Sequence, residues 1–151
     1  MRTELISASG LQKMACCNLA ESFENSASVT VGYSDAVTGA RQIRLLGLSG
    51  TYTQMLDENR PVMRGITAPY GLSYVPGPWL ESIQIAKGSP SVINGLESMT
   101  GHINLEHKKP TKEKPLFIQA SMMSDTKADF NATSAWQLSP TVDTILLGHV
   151  S

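Results

Sequence analysis

The sequence predicts an α+β fold, because three patterns follow one another along the chain. Apolar residues between Leu11 and Phe23 recur at helical spacing. From Val29 onward, β-branched and aliphatic residues occur in short runs between glycine-containing turns, as they do in short strands. Beyond Leu116, apolar and polar residues alternate, which is typical of antiparallel strands. A chain of 151 residues, 41% of them hydrophobic, suffices for one small folded domain and an additional segment.

The first pattern predicts an amphipathic helix over residues 10–24. Ser9 followed by Gln12 fits a capping box, in which side chains satisfy backbone N–H groups at the start of the helix. Apolar residues then fall on one face, and the helix is expected to end at Asn25 and Ser26.

The second pattern predicts several short strands. Strands are expected in SVTVGYS and RQIRLLGL, and TYTQMLDENRPV predicts a strand, a polar turn at 57–59 and a return beginning with Pro61. The segment 65–78 is rich in Pro, Gly and Tyr, which predicts a long ordered loop. After it, WLESIQIAKG predicts a short helical turn leading into a strand, and GHINLEHKKP predicts a further strand.

The third pattern lies in LFIQASMMS and DFNATSAWQL, where apolar residues occupy every second position. Strands of transmembrane barrels alternate in this way over about ten residues. A soluble antiparallel sheet with one wet face gives the same alternation, and the residues alone favour that alternative.

Charge and hydropathy exclude several classes of protein. A net charge of −1 gives no reason to expect a nucleic-acid partner, which calls for clustered Lys and Arg. The one basic cluster, within 108–114, is interrupted by Pro110 and Glu113 and is predicted to be a solvated linker. No apolar run approaches the roughly 20 residues of a membrane helix, and the N-terminus lacks a secretory apolar core. Taken literally, the chain is expected to be soluble and not exported.

No catalytic motif is complete, so an enzyme is not predicted. The interval 88–95 has the glycine spacing of a phosphate loop, but Leu96 and Glu97 stand where Lys and Ser or Thr should follow. No nucleophile and base pair is visible.

No cofactor or metal site is predicted either. Cys16 and Cys17 are adjacent and cannot readily bridge each other. They are soft-metal ligands in principle, for copper(I) or zinc, but buried packing on the helix is favoured. His102 and His107 are expected on opposite faces of a strand, so they cannot share a metal.

The stretch IQIAKGSPSVINGLESMTGHINLEHKKP, residues 83–110, carries a motif of residues at fixed spacing. Its members are Lys87, Gly88, Ser91, Gly95, Gly101, Ile103 and Asn104. In this the stretch resembles the end of the plug domain of TonB-dependent outer-membrane receptors. The departures from the family pattern are Ser89, Asn94, Ser98 and Thr100. Upstream, IRLLGLSGTYTQMLDENRPV is similar to the strand and hairpin of the plug, although Glu58 and Asn59 replace the hairpin glycine.

The resemblance implies two domains. Residues 1–110 would be an N-terminally truncated plug domain with a small mixed β-sheet and short helices. Residues 111–151 would be a linker and the first antiparallel strands of an incomplete transmembrane β-barrel, turning near Asp125 and at Ser139-Pro140, with Trp136 in an aromatic girdle. The chain is therefore expected to be a fragment of a receptor in the cell outer membrane.

The resemblance also implies a function, which is gating of energy-coupled uptake of a scarce substrate. The expected substrates are an iron-siderophore, haem, cobalamin, a metal or a glycan. The expected partners are a TonB-type inner-membrane energy-transducing complex, outer-membrane lipid, and the small-molecule or metal-complex substrate, without nucleic acid. The alternatives are a free-standing soluble β-rich binding module, which should stay monomeric without detergent, and a non-functional gene fragment.

Site residues follow from the same resemblance. Substrate-contacting plug loops would present Ser49, Tyr52, Tyr70 and Tyr74, since tyrosine offers a flat face and a hydroxyl at modest entropic cost. Packing against the barrel wall is the alternative for each tyrosine. Arg44 and Glu81 occupy places where family members hold charged contacts between plug and barrel.

Overall fold

The computed structural model describes residues 2–13, 19–23, 26–33, 41–64, 75–88, 98–111, 115–122 and 128–150. It divides the chain into two compact units, a first unit of residues 1–106 and a second unit of residues 107–151. Within the described ranges, no helix is long and apolar enough to cross a membrane.

The first unit contains eight strands and one short α-helix in its described part. Its α-helix and the first four strands are β1 (Arg2–Ser7), α1 (Ala8–Lys13), β2 (Val29–Tyr33), β3 (Arg41–Leu45) and β4 (Leu48–Ser49). The remaining strands are β5 (Thr53–Asp57), β6 (Arg60–Val62), β7 (Leu80–Lys87) and β8 (Gly101–His107). Single 3₁₀ turns lie at Glu21–Phe23, Gly50–Tyr52 and Gly77–Trp79.

The strands of the first unit form two sheets. The larger has the order β1-β7-β8-β5-β6, in which β5 and β8 are parallel while β1 pairs with β7, and β5 with β6, in antiparallel fashion. The smaller has the order β2-β3-β4 and is antiparallel. The expectation of a small mixed sheet with short helices is therefore confirmed.

One face of the larger sheet forms the core of the first unit. Because side chains alternate along a strand, Ile83, Ile85 and Ile103 point to the same side of the sheet and are fully buried. They belong to one apolar cluster with residues of α1, of the 19–23 segment and of the smaller sheet, namely Leu11, Leu19, Phe23, Val29, Ile43 and Leu45. Full burial of each such side chain contributes roughly 1.5–3 kcal/mol.

The helix is shorter than the sequence predicts. α1 ends at Lys13, residues 14–18 and 24–25 lie outside the described residues, and the chain at 19–23 is a turn followed by a 3₁₀ turn. Ser22 and Phe23 donate to carbonyls three residues earlier, at 3.1 Å each, instead of four. The helical spacing of Leu19 and Phe23 still buries both side chains, so apolar periodicity alone does not distinguish the two conformations.

Strand β1 has no counterpart in the sequence prediction. It lies at the edge of the larger sheet, paired with β7 from Arg2 opposite Lys87 to Ser7 opposite Ser82. The run RTELIS contains only two aliphatic residues, and its partner lies some 80 positions later in the chain. A local pattern of this length carries too little signal to predict a strand whose pairing is non-local.

The β5–β6 hairpin matches the prediction closely, with the return starting at Arg60 instead of Pro61. Glu58 and Asn59 both adopt positive φ, at 48° and 64°, which a two-residue hairpin turn of this hand requires. The turn is held on β8, because Glu58 N–H donates to the Leu105 carbonyl at 2.9 Å and Asn59 N–H donates to Asn104 Oδ1 at 2.8 Å.

The other expectations for the first unit fare differently. The helical turn before β7 is confirmed by the 3₁₀ turn at Gly77–Trp79, and the last strand by β8. Of the predicted loop 65–78, residues 65–74 lie outside the described residues.

The second unit is an antiparallel sheet of three strands in the order β11-β10-β9. Its strands are β9 (Leu116–Met122), β10 (Ala128–Ser139) and β11 (Val142–Val150), and the turn between β10 and β11 follows Ser139 as predicted. The exposed face is apolar and includes Leu116, Ile118, Met122, Phe130, Trp136, Leu146 and Val150. On the opposite face of β10, Asp129, Asn131 and Thr133 are each only 4% exposed.

Gly101, the first residue of β8, gives a direct test of this fold. A Cβ at Gly101 would lie 2.0 Å from the Ala86 carbonyl oxygen, and its φ of +141° disfavours any other residue. Gly101→Ala is expected to lower the free energy of unfolding by roughly 2–4 kcal/mol, because backbone must shift. Thermal melting followed by circular dichroism in mild detergent measures the loss.

Gly32→Ala is the matched control, since a Cβ at Gly32 meets nothing within 4 Å. If both variants melt at the same temperature, β7 and β8 do not approach each other as closely as the fold requires.

Candidate functional site

The segment that connects β3 to β5 forms the described part of the predicted substrate-contacting loops. It begins with a tight turn in which Leu46 and Gly47 have φ values of 56° and 81°. The turn leaves the side chains of Leu46 and Leu48 exposed at 57% and 54%. It is fastened at its start, where Leu46 N–H donates to the Ser28 carbonyl.

Ser49 organises the second half of this segment. It pairs with Arg44 across β3 and β4, and its hydroxyl accepts a hydrogen bond from Gln42 Nε2 at 2.9 Å. The same oxygen caps the following 3₁₀ turn by accepting from Thr51 N–H at 3.5 Å. At Gly50 a Cβ would lie 2.7 Å from the Ile43 carbonyl oxygen, so only glycine lets the chain pass. The Ser49 hydroxyl thus stabilises the conformation of the loop through hydrogen bonds within it.

Tyr52 ends the segment on a fixed backbone. Its carbonyl oxygen accepts from both Thr100 N–H, at 3.1 Å, and Thr100 Oγ1, at 2.9 Å. Thr53 and Thr100 also join hydroxyls at 2.9 Å, which fixes the start of the β5–β8 pair. The Tyr52 side chain is 48% exposed. An exposed ring on an immobilised backbone can contact a flat or bulky ligand at little entropic cost.

Tyr33 and Arg41 form an exposed pair that sequence reasoning missed. They lie opposite each other at the end of β2 and β3, and the guanidinium carbon is 6.0 Å from the ring centroid. Tyr33 is 71% exposed. Next to them, Gly32 pairs with Gln42, whose amide reaches Ser49, so this end of the smaller sheet also holds the Ser49 segment. Their signal in the sequence was that Tyr33 lies near the end of one predicted strand, SVTVGYS, and Arg41 begins the next, RQIRLLGL.

Glu4 of strand β1 sits in a second polar cluster. Ser26 Oγ donates to one carboxylate oxygen at 3.0 Å, the Ser28 hydroxyl donates to the other, and Lys87 Nζ lies 3.4 Å away. The hydrogen bond from Ser28 lowers the pKa of Glu4 most, with help from Ser26 and Lys87 and against the effect of burial. One carboxylate thereby joins β1, the residues before β2, and the end of β7.

A family model described as the TonB-dependent receptor plug domain matches residues 1–102. The chain belongs to this plug domain family.

Solved receptors share the fold of this plug and of the strands that follow it. The siderophore receptor PirA from Acinetobacter baumannii is 20% identical with a TM-score of 0.74, over 97% of this chain and 24% of PirA. The ferric yersiniabactin uptake receptor FyuA from Yersinia pestis is 13% identical with a TM-score of 0.77, over 97% of this chain and 23% of FyuA. The chain thus spans about a quarter of the length of these receptors. Comparison with curated protein sequences finds no match.

The similarity confirms the predicted fold, a plug with a mixed sheet followed by the first antiparallel strands of a barrel. The homologues are receptors. At these identities the solved structures establish the fold alone.

The motif at the end of the plug builds structure wherever it is described. Lys87 contacts Glu4, Gly88 has a φ of 94°, and its N–H donates to the Thr100 carbonyl at 2.9 Å. Ile103 is fully buried in the core, and Asn104 holds the β5–β6 turn. Ser91 and Gly95 lie outside the described residues.

The remaining predicted site residues are only partly brought together. Arg44 is exposed in β3, directly opposite Ser49, and Glu81 is half-buried in β7 of the other sheet. Tyr70 and Tyr74 lie outside the described residues, as do Cys16 and Cys17. In the described part of the chain, no group of three or more His, Cys, Asp or Glu could hold a metal ion. Roles of these residues in contacting substrate or barrel stay predictions.

The Glu4 cluster predicts a pH-dependent contribution to plug stability. The folded-state pKa of Glu4 lies below its ordinary value of 4.5, so its stabilisation is complete above that pH and is lost as the pH falls through the folded pKa. Glu4→Gln is expected to lower the free energy of unfolding by about 1 kcal/mol at pH 7. Denaturant unfolding at several pH values measures the difference between variant and parent.

The difference should shrink below pH 4.5 as the parent carboxylate is protonated. Asp143→Asn, at an exposed position of β11, serves as the control. A Glu4→Gln effect that is the same at pH 3 and pH 7 would contradict the proposed electrostatic contribution.

Proposed function

We propose that this chain is the plug portion, with the first barrel strands, of an outer-membrane receptor that imports a ferric siderophore with energy from a TonB-type inner-membrane complex. The observation that carries the proposal is the family match over residues 1–102, which is followed by strands with an exposed apolar face. The similar structures are of a siderophore receptor and a ferric yersiniabactin uptake receptor, and this favours a ferric siderophore over haem, cobalamin, a bare metal ion or a glycan as the substrate.

The exposed side chains of the plug support the substrate class. Tyr52 offers a ring on a fixed backbone, and Tyr33 stacked with Arg41 offers a second ring beside a positive charge. A ferric siderophore is bulky and often carries net negative charge, so rings and a guanidinium suit it. Arg44 and Glu81 would contact the barrel wall, as the family resemblance suggests.

The apolar face of β9, β10 and β11 supports a location in the outer membrane. Ile118 and Leu146 on this face are more than half exposed, while Asp129, Asn131 and Thr133 lie on the opposite face of β10. An outward apolar face and an inward polar face are the arrangement that lipid requires of a barrel strand. In water the same surface is expected to drive association.

Transport is tested by expressing the complete reading frame that contains this chain in a bacterium lacking other siderophore receptors. Uptake of radioactive iron from a panel of ferric siderophores is expected, and it should stop when the energy-transducing complex is deleted. Uptake that is absent for every siderophore tested, or that persists without the complex, would overturn the proposal.

Tyr52 tests the substrate-contacting surface within that receptor. Tyr52→Ala is expected to weaken siderophore binding about tenfold, equivalent to about 1.4 kcal/mol, because the exposed ring is lost. Tyr52→Phe keeps the ring and should bind within about twofold of the parent. Binding by Tyr52→Ala that equals the parent would show that the ring has no contact with substrate.

Association in water separates the membrane proposal from the soluble-module alternative. The purified chain is expected to form large assemblies without detergent and to disperse when detergent is added. Ile118→Ser combined with Leu146→Ser should reduce assembly, whereas Thr30→Ser, at an exposed position in the smaller sheet, should not. Light scattering that finds a monomer of the parent chain in plain buffer would favour the soluble module.

A further inference from the structure

The larger sheet of the plug has a second face, opposite its aliphatic core, that is polar and yet buried at its centre. Gln54 in β5 lies directly opposite His102 in the parallel strand β8, and Asn104 is two residues further along β8. Because side chains alternate along strands, these three lie on one face. Gln54 is 3% exposed and Asn104 is 1% exposed.

Four polar atoms of these three side chains lack a hydrogen-bond partner among the described residues. They are Gln54 Oε1, Gln54 Nε2, His102 Nδ1 and Asn104 Nδ2. The orientation of the Asn104 amide is fixed, because its Oδ1 accepts from Asn59 N–H at 2.8 Å. Its Nδ2 is therefore a buried donor with its hydrogen atoms unused. Folded proteins rarely leave such atoms unsatisfied, and a cluster of them indicates a bound molecule.

The chemistry of the four atoms defines that molecule. The amide nitrogens of Gln54 and Asn104 donate, and the amide oxygen of Gln54 accepts. Burial lowers the pKa of His102, which favours the neutral imidazole at neutral pH, so one ring nitrogen is an acceptor. The side chains are then all uncharged, so a neutral ligand leaves no charge uncompensated in the cluster. A small neutral molecule that both donates and accepts satisfies them.

We propose that Gln54, His102 and Asn104 form a binding site for ordered water inside the plug. A water molecule beside Gln54 and His102 can accept from Gln54 Nε2 or donate to Gln54 Oε1, and it can pair with His102 Nδ1 in either tautomer because water both donates and accepts; Asn104 Nδ2 would supply a further donor. The inference rests on plug residues alone and stands whether or not the receptor carries a siderophore.

The polar character continues across the same face toward β1. Glu106 lies two residues beyond Asn104 and accepts from Ser82 Oγ at 3.1 Å. Beside them is an open groove of about 520 Å³ lined in part by Ser7, Ser82, Gln84 and Glu106. The water site is thus the buried end of a polar strip that opens to solvent at the other end.

The direction in which Gln54→Met changes the melting temperature tests the proposal. If water is bound, Gln54→Met removes hydrogen bonds to it and is expected to lower the melting temperature of the chain. If the cluster is dry, the same substitution removes two unsatisfied polar atoms and should raise the melting temperature. Leu56→Met, two residues further along the same face of β5 and 5% exposed, controls for introducing methionine.

A high-resolution crystal structure of the chain in detergent gives the second measurement. Density for a water oxygen within hydrogen-bond distance of Gln54 and of His102 or Asn104 is expected. An empty cluster, protein groups completing all four atoms, or a melting temperature raised by Gln54→Met would each overturn the proposal.

Discussion

The close approach of β8 to β7 at Gly101 is the constraint on which the rest of the plug depends. Only the absence of a Cβ lets the strand pass the Ala86 carbonyl, and the same missing atom admits a methyl group of Leu45 from the smaller sheet. The two sheets and the aliphatic cluster between them therefore meet at one residue. From there β8 runs parallel to β5 and places Asn104 under the β5–β6 turn. A short motif thus fixes the pairing of strands that are distant in sequence.

That dependence explains why the sequence allows the end of the plug to be predicted well. In β7 and β8 the isoleucines alternate with polar residues, and the glycines stand where the backbone needs them, so local pattern and final packing agree. The hairpin of β5 and β6 is also predictable from the sequence, since Asn59 tolerates positive φ, although Glu58 is an unusual residue at positive φ. The choice of Tyr52 rests on the family resemblance; its ring is 48% exposed, and its contact with substrate stays a prediction.

What could not be predicted is held by long-range polar contacts. Glu4 is an ordinary charged residue in its own neighbourhood, and only the folded chain brings Ser26, Ser28 and Lys87 to it. Strand β1 likewise forms only in the folded chain, because its pairing partner β7 is distant in sequence. Tyr33 and Arg41 become a pair through strand register. The burial of Gln54 could not be predicted either. Amide side chains are usually exposed, and nothing in the neighbouring sequence indicates that Gln54 is only 3% exposed.

The two units differ in which side chains they bury, and an interpretation of the sequence has to take this into account. In the first unit the isoleucines of β7 and β8 are fully buried. In β10 the side chains of Asp129, Asn131 and Thr133 are buried while Phe130 and Trp136 are exposed. Alternation of apolar and polar residues predicts a strand but does not tell which of its faces is exposed. A sheet with one apolar and one polar face occurs both in water-soluble proteins and in membrane barrels. The mean hydropathy of the chain, −0.09, averages over both units and does not reveal this difference. The direction of the faces becomes definite only when each strand is placed in its sheet, and in β10 that direction is the one that lipid requires.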